Sequence, residues 1–279
     1  MIIDFHTHIF PPDVREEREG YLKRDRTFAE MYANPKAKIA TAEELLVSMD
    51  YAGVAVSVAL GFAWREHELC VRHNDYLLEA AAKSKGRIVA FCTVNMAADE
   101  AAGEIVRCAK AGAKGVGELR SESQAWDLNG EPGARLAGLA REHGLVLLVH
   151  VTEVGGHEYA GKSGLQLGAF YRFALEHPDF PVVGAHFAGG LPFAMPEAPQ
   201  VSLTAFADTA ARRFLYPETS YRDLIARWGA ERLVLGSDFP LVSQKAQIEE
   251  VRSNISGERE QRLVLGGNAS RLLRLDTDA

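Results

Sequence analysis

Two histidines near the start of the chain have the spacing of a metal-binding pair. His6 and His8 follow an apolar run at 1–5 that is predicted to be the first strand. Side chains two residues apart on a strand share one face, so both imidazoles should project in the same direction. The chain then breaks at Pro11 and Pro12, which places the pair at the strand's end. Two converging imidazoles can hold one divalent ion.

Four further polar residues with metal-ligating side chains each end an apolar run later in the chain. They are Glu118, His150, His186 and Asp238. Each one alone is weak support for a site, because a histidine that ends a strand is often structural. If all of them are buried, however, leaving them unpaired would cost several kcal/mol each, and a shared cation removes that cost.

The elements that must bring these residues together form an alternating pattern. Eight runs with strand character alternate with helical stretches, and most of the runs are apolar throughout, as in a parallel sheet buried on both faces. The predicted strands are 1–5, 54–60, 88–94, 114–119, 145–150, 181–186, 201–206 and 232–238. This pattern predicts an α/β fold of the (β/α)8 TIM-barrel type.

The barrel is predicted to occupy the whole chain, 1–279, as one domain, with 11–40 as an inserted loop or flap after strand one. A doubly wound open sheet is the alternative, but no G-x-G-x-x-G follows the first strand. In a barrel, the carboxyl ends of all strands meet at one rim, where active sites lie. The six polar residues should therefore converge there as one metal site.

Composition narrows the classes of partner. The 279 residues carry a formal net charge of -7 with 47% hydrophobic and 25% charged residues, which argues against bulk nucleic-acid binding and leaves a small-molecule substrate. The three cysteines, Cys70, Cys92 and Cys108, form no CxxC motif, which favours a reduced, cytoplasmic protein. No apolar stretch is long enough to cross a membrane.

The polar motifs together resemble those of the metal-dependent amidohydrolase superfamily. The matching segments are Asp4-Phe5-His6-Thr7-His8, His150, Gly184-Ala185-His186-Phe187-Ala188-Gly189-Gly190, Gly236-Ser237-Asp238-Phe239-Pro240 and Gly267-Asn268-Ala269-Ser270. The set is most similar to the amidohydrolase-related branch that includes aminocarboxymuconate-semialdehyde decarboxylase. The resemblance implies that His6, His8, His150 and Asp238 bind one zinc-like ion. It makes His186 a catalytic histidine or a ligand of a second ion.

Glu118 departs from the simplest form of this pattern. Binuclear members often carry a carboxylated lysine at the end of strand four, whereas a glutamate there is more similar to the TatD-type nucleases, and decarboxylase members do not need it. Zinc is the expected ion, and the number of ions, one or two, stays open at this point.

The first expectation is a hydrolase that uses a metal-activated water on a small amide, lactone or ester. Asp238 would act as the general base, and His186 would stabilise the developing oxyanion. The alternative keeps the metal site and releases CO2 from an unsaturated or aromatic carboxylate. A TatD-like phosphodiesterase and a metal that only staples the rim are weaker alternatives.

Substrate contacts are expected from loops that follow the strands. Arg65, Arg120 and Lys162 are the candidate anchors for a substrate carboxylate, and His157 and Tyr159 are candidate pocket walls. A homodimer is possible by analogy with related proteins.

Overall fold

The computed structural model, which describes residues 1–153, 162, 164–195, 205–217 and 219–275, contains an eight-stranded parallel sheet. Neighbouring strands pair in sequence order, so the sheet curls into a (β/α)8 TIM barrel, as predicted. The strands are β1 Ile3–His8, β2 Val56–Leu60, β3 Ile88–Cys92, β4 Gly115–Leu119, β5 Val146–Val149, β6 Val182–Gly184, β7 Ala205–Asp208 and β8 Leu233–Val234.

Helices alternate with these strands along the chain. They are α1 Pro12–Glu16, α2 Arg18–Arg24, α3 Arg26–Tyr32, α4 Ala42–Ala52, α5 His67–Lys83, α6 Ala101–Lys110, α7 Glu131–His143, α8 Leu167–Glu176, α9 Leu191–Ala194, α10 Arg212–Leu215, α11 Ser220–Trp228, α12 Gln244–Asn254, α13 Glu258–Arg262 and α14 Asn268–Leu273. None of these helices combines the length and apolar character that a membrane crossing requires.

Every strand is buried along its whole length, which explains the apolar runs of the sequence. Side chains from alternate strand positions, such as Val58, Phe91 and Leu148, form one cluster, whereas the intervening positions pack against the helices. The predicted seventh strand lay at 201–206, of which 201–204 fall outside the described residues. The observed β7 extends two residues further, to Asp208.

A seam between the first and last strands brings the two ends of the chain together. The Phe5 amide donates to the Leu235 carbonyl at 2.7 Å, and the Asp238 amide donates to the His6 carbonyl at 2.9 Å. The register of β1 against β2 shifts between Asp4 and Thr7. A bulge of this kind re-aims side chains. Here Asp4 accepts a hydrogen bond from Gln244 of α12, while His6 and His8 lie together at the centre of the rim.

The segment after β1 contains the three short helices α1 to α3. Its aromatic side chains pack against the loop after β2: Phe28 stacks on Trp64 at a centroid distance of 5.2 Å and lies 5.8 Å from Phe62. His73 of α5 lies beneath this cluster and donates from Nε2 to the Ile9 carbonyl at 2.7 Å. That 11–40 behaves as a flap, and that the chain is one domain, stay predictions.

Candidate metal centre

All six predicted ligands lie at the rim that the carboxyl ends of the strands form. His6 and His8 lie in β1, Glu118 in β4, His150 directly after β5, His186 in the turn after β6, and Asp238 in the loop after β8. Their ligand atoms fall into two groups of three, each compact enough to hold a metal ion. The rim therefore gathers residues that are far apart in sequence.

The first group combines His6, His8 and Asp238. The Nε2 atoms of His6 and His8 are 3.1 Å apart, and Asp238 Oδ1 lies 3.7 Å from the former and 3.5 Å from the latter. His6 is fully buried, whereas 17% of the Asp238 side chain is exposed. Asp238 is thus the member of this group that is most accessible from the cavity.

The second group combines Glu118, His150 and His186. Glu118 Oε1 lies 2.9 Å from His150 Nδ1 and 3.6 Å from His186 Nε2. Its other oxygen, Oε2, lies 3.5 Å from His8 Nε2 and 3.8 Å from His6 Nε2. Glu118 therefore faces both groups, one with each oxygen.

These donors fit a divalent ion. A tetrahedral ion with nitrogen ligands at about 2.0–2.1 Å separates its ligand atoms by about 3.3 Å, close to the spacings of the first group. Two buried ring nitrogens of the site, His8 Nδ1 and His150 Nε2, have no hydrogen-bond partner among the described residues. Imidazole and carboxylate ligands suit zinc and manganese alike, so the donor set does not choose between these ions.

The electrostatics of the protein without metal match a site built around positive charge. Burial disfavours the charged ring of His6, but the carboxylates of Asp208, Glu118 and Asp238 raise its pKa to about 10. Burial also opposes ionisation of Glu118, yet contacts with His150, His186 and His8 hold the pKa of this carboxyl well below its usual range. The buried Glu118 carboxylate thus stays charged and favours a cation beside it.

His186 lies in an uncommon backbone conformation. His186, Phe187 and Ala188 have φ angles of 57°, 56° and 51°, which makes a short left-handed helical turn after β6. Each non-glycine residue in this region costs roughly 1–2 kcal/mol, and such strain concentrates at functional sites. The turn aims His186 Nε2 at Glu118, while its Nδ1 lies 3.3 Å from the Ala210 carbonyl.

Sequence reasoning missed Asp208, which ends β7 and is fully buried. Asp208 Oδ2 lies 2.7 Å from His6 Nδ1, on the side of the ring away from the other donors. The signal was present, since Asp208 is a further carboxylate at a strand's end. The predicted seventh strand stopped too early to include it.

A cavity of about 410 Å³ opens above the donor groups. Its walls are largely apolar and include Phe62, Phe214 and Leu241, together with Tyr32 of the segment after β1. Among the described residues, the charged side chains that line it apart from the donors are cationic. They are Arg120, Lys36 and Lys38. The cavity therefore suits a flat, apolar molecule with anionic groups.

Of the predicted substrate contacts, Arg120 lines this cavity and is buried. Its Nη1 atom lies 3.3 Å from His150 Nδ1. Arg65 and Lys162 are not among the described residues that line the cavity, and Lys162 Nζ lies 3.9 Å from Glu153 Oε1. His157 and Tyr159 lie outside the described residues.

Comparisons with known proteins agree with this architecture. A family model described as Amidohydrolase matches residues 3–275. A search of curated protein sequences finds no match. Among solved structures, 5-carboxyvanillate decarboxylase from Sphingomonas paucimobilis has a TM-score of 0.80 and 17% identity, with 99% of each chain covered.

Two further solved structures have a similar fold. The 2,6-dihydroxybenzoate decarboxylase from Rhizobium has a TM-score of 0.76 and 17% identity, with 99% of each chain covered. The 5-carboxyvanillate decarboxylase from Novosphingobium aromaticivorans, solved with manganese and 4-hydroxy-3-methoxy-5-nitrobenzoic acid, has a TM-score of 0.78 and 13% identity, over 99% of this chain and 96% of that one. The match of the family model across nearly the whole chain, on a barrel with donor groups that fit a divalent ion, shows that this protein is an enzyme of the amidohydrolase family.

Proposed function

We propose that this protein is a metal-dependent, non-oxidative decarboxylase that releases CO2 from an aromatic or unsaturated carboxylate. The observation that carries the proposal is the cavity: donors for a metal lie at its floor, its walls are apolar and aromatic, and its remaining charged lining is cationic among the described residues. Solved structures of similar fold that are named as decarboxylases of hydroxylated benzoates support this choice over the hydrolysis that the sequence first favoured.

Six side chains are the candidates to hold the ion in this proposal. His6, His8 and Asp238 form one candidate set, and Glu118, His150 and His186 form the other. Zinc remains our expectation from the sequence, but manganese has equal standing because similar structures were solved with it. A bound divalent ion would supply positive charge that orients an anionic substrate and stabilises charge that develops during bond cleavage.

The residues of the chain provide orientation and the proton. Arg120, Lys36 and Lys38 would attract the substrate carboxylate, and the rings of Phe62 and Phe214 would pack against the substrate's flat face. As the bond to the carboxylate breaks, its electron pair stays on the ring carbon, which must take a proton. Asp238, the most accessible donor in its group, would take up a proton from solvent water and pass it to the carbon. Loss of CO2 and gain of the proton balance the reaction.

Hydrolysis of a small carbonyl compound remains a second candidate because of the position of Glu118. Its two oxygens face separate donor groups, an arrangement that would suit two neighbouring ions. Two ions held by one carboxylate favour the activation and delivery of water. This candidate therefore depends on the metal stoichiometry.

The test is a comparison of substrates with defined metal loading. The protein, freed of metal with a chelator and reloaded with zinc or manganese, would be incubated with 2,6-dihydroxybenzoate, 5-carboxyvanillate and a panel of lactones, esters and amides. We expect CO2 release from an aromatic acid, dependence on the added metal, and loss of activity in Asp238→Asn. Acid release from a lactone, ester or amide without any CO2 would reject decarboxylation in favour of hydrolysis.

A further inference from the structure

We propose that Asp208 is a positioning residue that aligns both donor groups, because it orients the ring of His6 and also holds the turn that carries His186. The inference rests on the metal-binding role of His6 proposed above. It concerns a residue that touches neither cavity nor candidate ion, since Asp208 is fully buried behind the donors. The two oxygens of its carboxylate serve different partners.

The first oxygen fixes which nitrogen of His6 faces the donors. Asp208 Oδ2 lies 2.7 Å from His6 Nδ1, and a carboxylate at this distance accepts from an N–H there. In the neutral ring the lone pair of His6 is then on Nε2, the atom that lies 3.1 Å from His8 Nε2. A carboxylate behind a metal-binding imidazole sets its tautomer and its orientation.

The second oxygen holds the left-handed turn after β6. Asp208 Oδ1 accepts from the backbone amide of His186 at 2.8 Å and from that of Ala210 at 3.1 Å. The hydroxyl of Tyr216 donates to the carbonyl of the same His186 at 2.9 Å. The turn is therefore fixed from both sides of its first residue, and Asp208 ties that residue to the orientation of His6.

An amide in place of the carboxylate would separate the two roles. In Asp208→Asn the side-chain oxygen can still accept from His186 and Ala210, but the NH2 group then faces His6 Nδ1 and donates to it. His6 would have to carry its proton on Nε2, where it blocks the donor atom. The substitution keeps the shape of the core, removes one buried negative charge and changes the direction of one hydrogen bond.

The experiment measures zinc affinity without substrate, by competition with a chromophoric chelator. We expect Asp208→Asn to weaken zinc binding about 10- to 100-fold at a temperature at which the metal-free variant is folded. Asp99→Asn, an exposed aspartate before α6, is the matched control and should bind zinc like the wild type. Wild-type affinity in Asp208→Asn would overturn the proposal.

A spectroscopic measurement tests the same point without relying on a variant that folds. In the zinc-loaded wild-type protein with 15N-labelled histidine, NMR should show His6 with its proton on Nδ1. A proton on Nε2 would overturn the assignment. Because neither measurement uses a substrate, failure to find CO2 release would reject the proposed reaction and leave this inference standing.

A third variant distinguishes orientation of His6 from disturbance of the turn. Tyr216→Phe removes the hydrogen bond to the His186 carbonyl and leaves the contact between Asp208 and His6 in place. We expect it to retain zinc affinity within a few-fold of wild type. A loss as large as that of Asp208→Asn would mean that the turn alone accounts for the effect, and would overturn the role assigned at His6.

Discussion

Glu118 Oε1 lies 2.9 Å from His150 Nδ1, while the other oxygen of the same carboxylate lies 3.5 Å from His8 Nε2. One side chain therefore joins two donor groups that come from opposite parts of the barrel. Its neutral analogue would keep the shape and remove the negative charge.

Glu118→Gln tests whether one ion or two bind. For the decarboxylase we expect one ion per chain in the wild type and in the variant, with weaker affinity in the variant because a charged donor is lost. Elemental analysis of protein dialysed against excess zinc measures the number of ions per chain. A fall from two ions to one would instead favour the hydrolytic candidate.

Asp238→Asn should separate chemistry from binding. The amide oxygen can still face His6 and His8, so we expect most of the metal to be retained, but the amide cannot pass a proton. The rate constant kcat should fall about 10²–10⁴-fold with an active aromatic acid. Asp99→Asn serves as the control, and near-normal turnover in Asp238→Asn would remove this residue from the proposed mechanism.

Tyr32→Phe probes the cavity wall supplied by the segment after β1. The Tyr32 ring stacks on Phe28 at 4.7 Å and lines the cavity, which fixes where its hydroxyl points. Burial, with the carboxylates of Asp238 and Glu118, raises the pKa of this phenol, so it remains a hydrogen-bond donor at neutral pH. Loss of one such bond to substrate should lower kcat/KM roughly 10-fold with unchanged metal content.

The matched control is Tyr51→Phe, since Tyr51 is 75% exposed on α4, away from the cavity. It should leave kcat/KM unchanged. If Tyr32→Phe also retains full kcat/KM, its hydroxyl has no contact with the substrate.

His73 should make stability depend on pH in the acid range. Its Nδ1 accepts from the Phe62 amide at 3.2 Å and from Trp64 Nε1 at 3.0 Å, so the folded state holds the ring neutral. Burial is the main cause that lowers the pKa of His73 to about 4 from its ordinary 6.5, with a further contribution from His8.

The direction in which stability changes with pH follows from proton uptake by the unfolded chain. Above pH 6.5 the ring is neutral whether folded or unfolded, and its contribution to stability is complete. Between pH 6.5 and 4 the unfolded chain takes up a proton that the folded state resists, so about 3 kcal/mol of stability is lost. Urea unfolding measures the free energy of unfolding of wild type and of His73→Gln. The difference between the two free energies should shrink toward pH 4, and a difference that is independent of pH would contradict the prediction.

The sequence predicted the barrel and the positions of the six donors because each of these depends on local patterns. Apolar runs identify strands buried on both faces, and a polar residue at the end of such a run lies at the rim by topology alone. His150 and His186 were found in this way, from strand parity and the point where each strand ends.

Other features depend on contacts that no local pattern encodes. The bulge in β1 changes which residues face the centre, so that Asp4 and His6, although two apart, have different surroundings. The left-handed turn at His186 persists because Asp208 and Tyr216 hold it from distant segments. Tyr32 enters the cavity because α3 packs on Phe62 through Phe28 and Tyr32, a tertiary arrangement that sequence spacing does not reveal.

The backbone bond between Asp238 and His6 has a consequence for the order in which the protein matures. The first strand leaves the ribosome before β8, so His6 and His8 meet Asp238, the third member of their donor group, only after residue 238 has been translated. Metal captured across this junction would join β1 to the loop after β8 and oppose opening of the barrel there. A chain that stops before β8 should consequently lack the donor group of His6, His8 and Asp238 and hold the ion less tightly, however well its first seven strands assemble.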